Sequence, residues 1–220
     1  MTSKDFSRRS FLKTTLGLWA AGLAPPSPPV EDPRRARTAT TTEPRAYFVP
    51  LKNYHELPPE CYSDNLIQPL EIIVHWDGNN KGRALWLAPI TFETMRYLRH
   101  SSHFAVDYKR VWQMLPMYQT LVQESHGAKG YNWEAINVEM AGINFDLPEH
   151  FPPEGEIRLT VQLVSDLMDF YGIAFGRVAG HFECDARGDK QDPGPQFMAH
   201  FRERLKAYRS AIFSQKSEIQ

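Results

Sequence analysis

Two imidazoles and a carboxylate stand where a folded chain can bring them together. His75 closes the apolar run Ile72-Ile-Val-His75, and His181 follows Gly176-Arg-Val-Ala-Gly180. Each sits at the C-terminal mouth of a predicted strand, the end of an α/β sheet where ligands and reacting groups gather. Asp192 lies eleven residues beyond His181, inside Cys184-Asp-Ala-Arg-Gly-Asp-Lys-Gln-Asp192-Pro-Gly-Pro195. Two nitrogens and one carboxylate oxygen suit a borderline-soft zinc ion, with the fourth position open to water. A plainer reading uses the same residues: a histidine at a strand end commonly hydrogen-bonds a loop, and scattered His/His/Asp sets are cheap in 220 residues. Residue types and spacing leave that choice open.

The elements that must position these groups read as mixed strand and helix. Pro69-Leu-Glu-Ile-Ile-Val-His75 packs Ile72, Ile73 and Val74 without polar alternation, the pattern of a strand buried on both faces. Thr91 predicts a helix cap with Glu93 in the first turn, and Phe92, Met95 and Tyr97 or Leu98 recur on one face until His100. Ser102–Asp107 and Val111–Leu115 read as two hairpin strands around Tyr108-Lys-Arg110, a turn that holds no glycine. Ala135–Met140 alternates and ends in Ala141-Gly142. Past the proline-rich 148–156 connection, Ile157, Val161, Leu163/Val164, Leu167/Met168 and Tyr171 trace an amphipathic helix stopped by Gly172. Phe197, Phe201, Leu205 and Tyr208 line a final helix.

Composition narrows the class. At 42% hydrophobic and 12% aromatic residues the chain can build a core, so wholesale disorder is excluded. A formal charge of −1 gives no reason to expect a nucleic-acid partner. Cys61 and Cys184, the two cysteines, exclude a disulfide-dense scaffold and a four-cysteine zinc site. Two free thiols are expected. Charge is uneven along the chain: residues 1–46 hold eight Lys/Arg against four Asp/Glu, and residues 47–220 hold 17 against 22.

That basic leader has the anatomy of an export signal. Ser7-Arg-Arg-Ser-Phe-Leu-Lys13 resembles a twin-arginine signal and precedes the nine-residue apolar run Leu16–Ala24, far short of the roughly 20 residues that cross a bilayer. The organisation expected is a signal peptide over 1–24, an extended Pro/Thr/Arg-rich spacer over 25–46, one folded domain over 47–212 and a tail over 213–220. No stable transmembrane anchor is expected. The twin-arginine translocase would be a transient partner and the periplasm the destination.

Six segments then occur in order: Ile72-Ile-Val-His75, Ser102-His-Phe104, Ser125-His-Gly-Ala-Lys-Gly-Tyr-Asn132, Ile136-Asn-Val-Glu139, Gly180-His181 and Lys190-Gln-Asp-Pro-Gly-Pro195. Together they resemble the zinc-dependent N-acetylmuramoyl-L-alanine amidases related to phage lysozyme-type amidases and peptidoglycan recognition proteins. The resemblance spans roughly residues 69–198. It implies a single-domain α/β fold, a central mixed β-sheet flanked by helices. It also implies hydrolysis of the amide between the muramic acid lactyl group and L-alanine, in peptidoglycan or muropeptides. A non-catalytic peptidoglycan-binding protein and a zinc hydrolase for another amide are the alternatives.

The resemblance assigns roles residue by residue. His75, His181 and Asp192 match the zinc ligands. The third is Asp in some branches and Cys in others; it follows a lysine by two positions, which selects Asp192 here and not Cys184. Glu139 matches the catalytic glutamate, and Lys190 a lysine that assists at the scissile carbonyl. His126 resembles a cleft histidine, and Lys129, Tyr131 and Asn132 resemble a substrate-lining loop. His103 is expected to be structural or to hydrogen-bond near the metal. One departure is informative: where some branches place a catalytic tyrosine before the histidine matched by His103, this chain has Ser102. Those branches commonly lack the glutamate, so the pattern implies glutamate-centred chemistry.

Overall fold

The computed structural model describes residues 53–78 and 88–217. The leader at 1–24, the spacer at 25–46 and the last three residues of the expected tail lie outside them.

Among the described residues seven strands run in chain order as β1 (Leu66–Ile67), β2 (Glu71–Trp76), β3 (Phe104–Val106), β4 (Val111–Gln113), β5 (Val122–Gln123), β6 (Ala135–Met140) and β7 (Val178–Gly180). Four helices accompany them: α1 (Ala88–Leu98), α2 (Glu154–Tyr171), the single turn α3 (His181–Cys184) and α4 (Pro195–Ser217). The main sheet has the order β4-β3-β6-β2-β7, parallel except for the antiparallel edge strand β4. This is the expected α/β fold, a central mixed sheet flanked by helices. The short pair β1–β5 forms a separate antiparallel ribbon; two residues each are too few to leave a periodic signal.

Period-two alternation gives the sheet two unlike faces. Ile72 and Val74 of β2, Phe104 and Val106 of β3, and Ile136, Val138 and Met140 of β6 pack with α2 and α4. Ile157, Val161, Val164 and Leu167 supply the α2 side of that layer, and Phe197, Phe201 and Leu205 the α4 side, as their spacing predicts. On the other face, α1 packs Ala88, Phe92 and Met95 over Ala105, and a smaller cluster joins Ile73, Ala128, Ala135 and Cys184. All six residues of β6 are buried, its polar Asn137 and Glu139 included.

Gly172 ends α2 in the left-handed conformation at φ 69°, its amide donating to Met168 O. At α4, Asp146 Oδ1 accepts the Phe197 amide at 2.8 Å, satisfying a donor that the helix start leaves open. This helix runs on to Ser217, past residue 212.

Two local expectations change. α1 begins at Ala88 rather than after Thr91, and Thr91 instead donates its hydroxyl to Asp77 Oδ2 at 2.7 Å. Its buried stripe is Ala88, Thr91, Phe92 and Met95; at about 100° per residue Tyr97 falls on the opposite side and is 86% exposed, while Leu98 falls at the edge of the stripe and is 52% exposed. The β3–β4 turn closes without glycine because Asp107 Oδ1 accepts the Lys109 and Arg110 amides at 2.7 and 3.0 Å. Both cysteines are free and buried, Cys61 beneath α1 and Cys184 in the cluster around Ile73. Among the described residues no helix is long and apolar enough to cross a membrane.

Candidate metal centre and cleft

β2 carries His75 next to last, on the face opposite α2 and α4. In parallel register it stands beside Glu139 of β6, so the two side chains share a face. β7, on the other flank of β2, ends at Gly180 and hands the chain to His181 in α3. Gly180 is required by close approach: a Cβ there would meet Phe182, Pro193 and Met198 within 2.8–2.9 Å. The 185–191 loop folds around Asp185, whose carboxylate accepts the amides of Arg187, Asp189 and Lys190 at 3.1, 2.6 and 2.8 Å. The Phe182 amide then donates to Asp192 O at 2.9 Å, which closes the loop and returns Asp192 to His181.

Three donor atoms converge as a result. His75 Nδ1, His181 Nδ1 and Asp192 Oδ2 lie 3.0 Å from one another in every pair, and all three residues are buried. The other nitrogen of His75, Nε2, contacts Asn137 Oδ1 at 2.8 Å. Two imidazole nitrogens and one carboxylate oxygen, gathered this closely and shielded from water, fit a divalent borderline-soft ion.

The electrostatics are those of a charged knot. Burial opposes charge on His75, but Glu139 and a hydrogen bond with Asp192 outweigh it and raise its pKa. At His181 burial prevails over the Asp192 hydrogen bond, with the charges of His75 and Lys190 adding to it, and the pKa falls. Burial would lift Asp192, yet its hydrogen bonds with His181 and His75 hold it far below the usual carboxylate range. Glu139 differs. Burial pushes its carboxyl up to about 8, His75 and Lys190 opposing and Asp192 and Asp77 adding. Its Oε2 is buried and has no hydrogen-bond partner among the described residues.

These groups open on a cleft of about 450 Å³, lined by the three cluster residues, Glu139, Lys190, His126 and Lys129, together with Thr91, Met95 and Leu98 of α1. A second hollow of about 600 Å³ adjoins it, sharing Lys129, His181, Arg187 and Lys190 and adding Tyr131 and Trp133. Of the residues matched by resemblance, the structure thus gathers His75, His181, Asp192, Glu139, Lys190, His126 and Lys129 in the first cleft, with Tyr131 in the second.

Asn132 is not brought to either. Its Oδ1 accepts the Ala128 amide at 2.6 Å, closing its own loop. His103 is fully buried between Gln123 O at 2.8 Å and the Asn137 amide at 3.0 Å, and burial takes its pKa down to about 4. It is therefore a neutral strut. Ser102 is buried and does not line the cleft, whereas Ser101 does and accepts the His126 amide at 2.8 Å. Three contributors escaped the sequence reading: Asp77, Arg187 and Asn137. Asp77 ties the end of β2 to Thr91 and to the Gly142 amide at 2.9 Å. Asn137 had a signal, since it stands two residues before Glu139 and therefore on the same face.

Comparison with known proteins agrees with this geometry. Residues 66–195 match the family described as N-acetylmuramoyl-L-alanine amidase. The chain belongs to that family. Comparison with curated proteins returns no match. Among solved structures, PlyL superposes with a TM-score of 0.54 at 20% identity, over 70% of this chain and 95% of its own. The endolysin N-acetylmuramoyl-L-alanine amidase LysCS from Clostridium intestinale gives 0.54 at 18%, over 71% and 97%. A mutant endolysin from Bacillus subtilis gives 0.54 at 19%, over 70% and 96%. At such identities the likeness shows the shared fold. Within the amidase family, the His75/His181/Asp192 cluster of this member is geometrically consistent with a metal site.

Proposed function

We propose that the protein is a zinc-dependent N-acetylmuramoyl-L-alanine amidase that splits the bond between the muramic acid lactyl group and L-alanine, in peptidoglycan or in muropeptides. One observation carries the reading: three ligand-type atoms, mutually 3.0 Å apart, open on a cleft beside a buried carboxylate with an unpartnered oxygen.

His75, His181 and Asp192 would hold the ion. When bound, zinc lowers the pKa of a coordinated water from about 15.7 toward about 7 and polarises the amide carbonyl. Glu139 Oε2 takes the proton of the attacking water and delivers it to the departing L-alanine nitrogen. For this it must begin ionised, and a divalent cation beside it favours that state over the neutral one that burial imposes. Lys190 opposes the negative charge that develops on the carbonyl oxygen, and His126 lines the same cleft. Lys129 and Tyr131 extend the contact surface toward the second hollow.

The leader supports a place of action. Arg8, Arg9 and the apolar run to Ala24 suit twin-arginine export into a periplasm, where peptidoglycan is met. Digestion of purified peptidoglycan with and without a zinc chelator, followed by mass analysis, tests the whole reading. The expected result is chelator-sensitive release of stem peptides with a free L-alanine amino terminus. Binding without release would indicate a recognition protein, and cleavage elsewhere a different hydrolase.

A further inference from the structure

His75 and His181 are held in different ways. For His181 the side-chain hydrogen bonds among the described residues are those of its Nδ1 within the donor cluster. His75 has a built acceptor behind it. Its Nε2 lies 2.8 Å from Asn137 Oδ1, and Asn137 is fully buried.

The Asn137 carboxamide is itself fixed on both sides. Its Nδ2 donates to Ser125 Oγ at 2.6 Å, and Ser125 is also fully buried. The Asn137 amide donates to His103 Nδ1 at 3.0 Å, the His103 amide donates to Asn137 O at 2.9 Å, and His103 Nε2 donates to Gln123 O at 2.8 Å. Each polar atom in this relay has a partner, and the relay ties β5, β6 and the residue that leads into β3 to the ring carried by β2. A buried network in which each polar heavy atom has a partner restricts the side chains that make it.

We propose that Asn137 is the positioning residue that makes His75 a metal ligand. The chemistry is a choice of tautomer. A carboxamide oxygen accepts and cannot donate, so the hydrogen on the His75 ring is placed on Nε2 and the lone pair on Nδ1 faces His181 and Asp192. The reversed carboxamide would present its NH₂ group to Nε2, shift the hydrogen to Nδ1 and aim it into the donor cluster. His75 would then hydrogen-bond Asp192 and could not ligate. Asn137 is uncharged, so it fixes the tautomer without adding a third anion beside Glu139 and Asp192. His103, locked between two backbone groups, holds the Asn137 backbone in register. This gives that histidine a function one step removed from the metal.

The inference rests on the metal-centre reading above, and its readouts need no muramoyl substrate. Zinc affinity is measured by chelator competition on purified protein, alongside imidazole ¹⁵N shifts of the metal-free form. Asn137→Leu keeps bulk and removes the acceptor; zinc affinity should fall roughly 10- to 100-fold, the usual cost of losing an outer-shell partner. Asn137→Asp restores an acceptor and should recover affinity to within a few-fold of wild type (about 1 kcal/mol or less). The wild-type His75 ring should show the Nε2–H tautomer, which Asn137→Leu loses. Because Asn137→Leu can fail by unfolding, Ser125→Ala supplies a milder probe: it frees the carboxamide but leaves the acceptor, and its loss should fall between wild type and Asn137→Leu. Equal zinc affinity in wild type and a folded Asn137→Leu, or a wild-type His75 ring protonated on Nδ1, overturns the proposal and leaves the metal centre standing. Wild-type protein that takes up no zinc overturns both.

Discussion

The two faces of the central sheet are written by the same strands and do opposite things. Ile72, Val74, Ile136 and Val138 look one way and are sealed beneath α2 and α4. The residues between them, His75, Asn137 and Glu139, look the other way into a polar network and a cleft. The residues on both faces are buried, but the apolar face gains free energy by burial while the polar one must satisfy or tolerate its buried groups. The scaffold therefore answers for stability and the opposite face for chemistry, and substitutions on the two should fail in different ways.

The largest effect belongs to the donor cluster. Asp192→Asn keeps size and removes the anionic ligand; His75→Ala and His181→Ala each remove a nitrogen. Zinc content and activity should fall together, to the level of the chelated enzyme. Metal analysis of the purified variants checks this, and full zinc occupancy in any of them would remove that residue from the ligand set.

Glu139→Gln comes next. The amide still hydrogen-bonds but accepts no proton from water, so turnover should drop by roughly 10²–10⁴ while zinc content and melting temperature hold. KM should move far less than kcat, since the lost interaction belongs to the transition state. Normal zinc with near-normal turnover would take Glu139 out of the proton transfers; loss of zinc would place it among the ligands.

The apolar face should give the reverse pattern. Leu167 is fully buried in the α2–α4 layer, and Leu167→Ala should cost about 2–5 kcal/mol of stability through lost transfer energy and the cavity left behind. Activity per folded molecule should be unchanged at a temperature where the variant is folded. A fall in kcat with folded protein would show that the faces are coupled.

The difference between the faces also explains what could be read before folding. Apolar spacing is periodic, so β2, β6, α2 and α4 were legible, and Phe197, Phe201 and Leu205 lie where their spacing puts them. Thr91 misled because a hydroxyl ahead of an apolar stripe suits a cap and equally suits a bond to Asp77, which is distant in sequence. In the site, His75, His181 and Asp192 were found by type, but only the resemblance chose among readings that spacing left open. Asn132 has a use that its motif does not announce: its neighbours Tyr131 and Trp133 line the second hollow, while its own Oδ1 closes the loop. Asn137 carries no reactive chemistry of its own. Its importance arises from a neighbour 62 positions away, a relation that only the parallel pairing of β2 and β6 creates.

One residue breaks the division between the faces, and it yields the smallest prediction. Glu156 lies in the first turn of α2, is 1% exposed, and its Oε1 has no hydrogen-bond partner among the described residues. Burial raises its pKa well above 4.5; the charges of Asp107 and Asp77 add to this, and the Ala141 backbone works the other way. The sign follows from proton counts. Below pH 4.5 the carboxyl is protonated in both states and contributes no slope. As pH rises past that value the unfolded chain releases its proton while the folded one keeps it, so stability falls, with a limiting slope of about 1.4 kcal/mol per pH unit. Glu156→Gln keeps the shape and removes the titration. Relative to wild type, the variant should be more stable at pH 7 than at pH 4, in urea unfolding monitored at both. Glu139, raised to about 8, gives the metal-free protein a slope of the same sign, but it is common to both chains and cancels in the difference. A wild-type-to-variant gap that does not change with pH would mean that Glu156 is ionised in the folded protein, and the apolar face would then contain a paired charge.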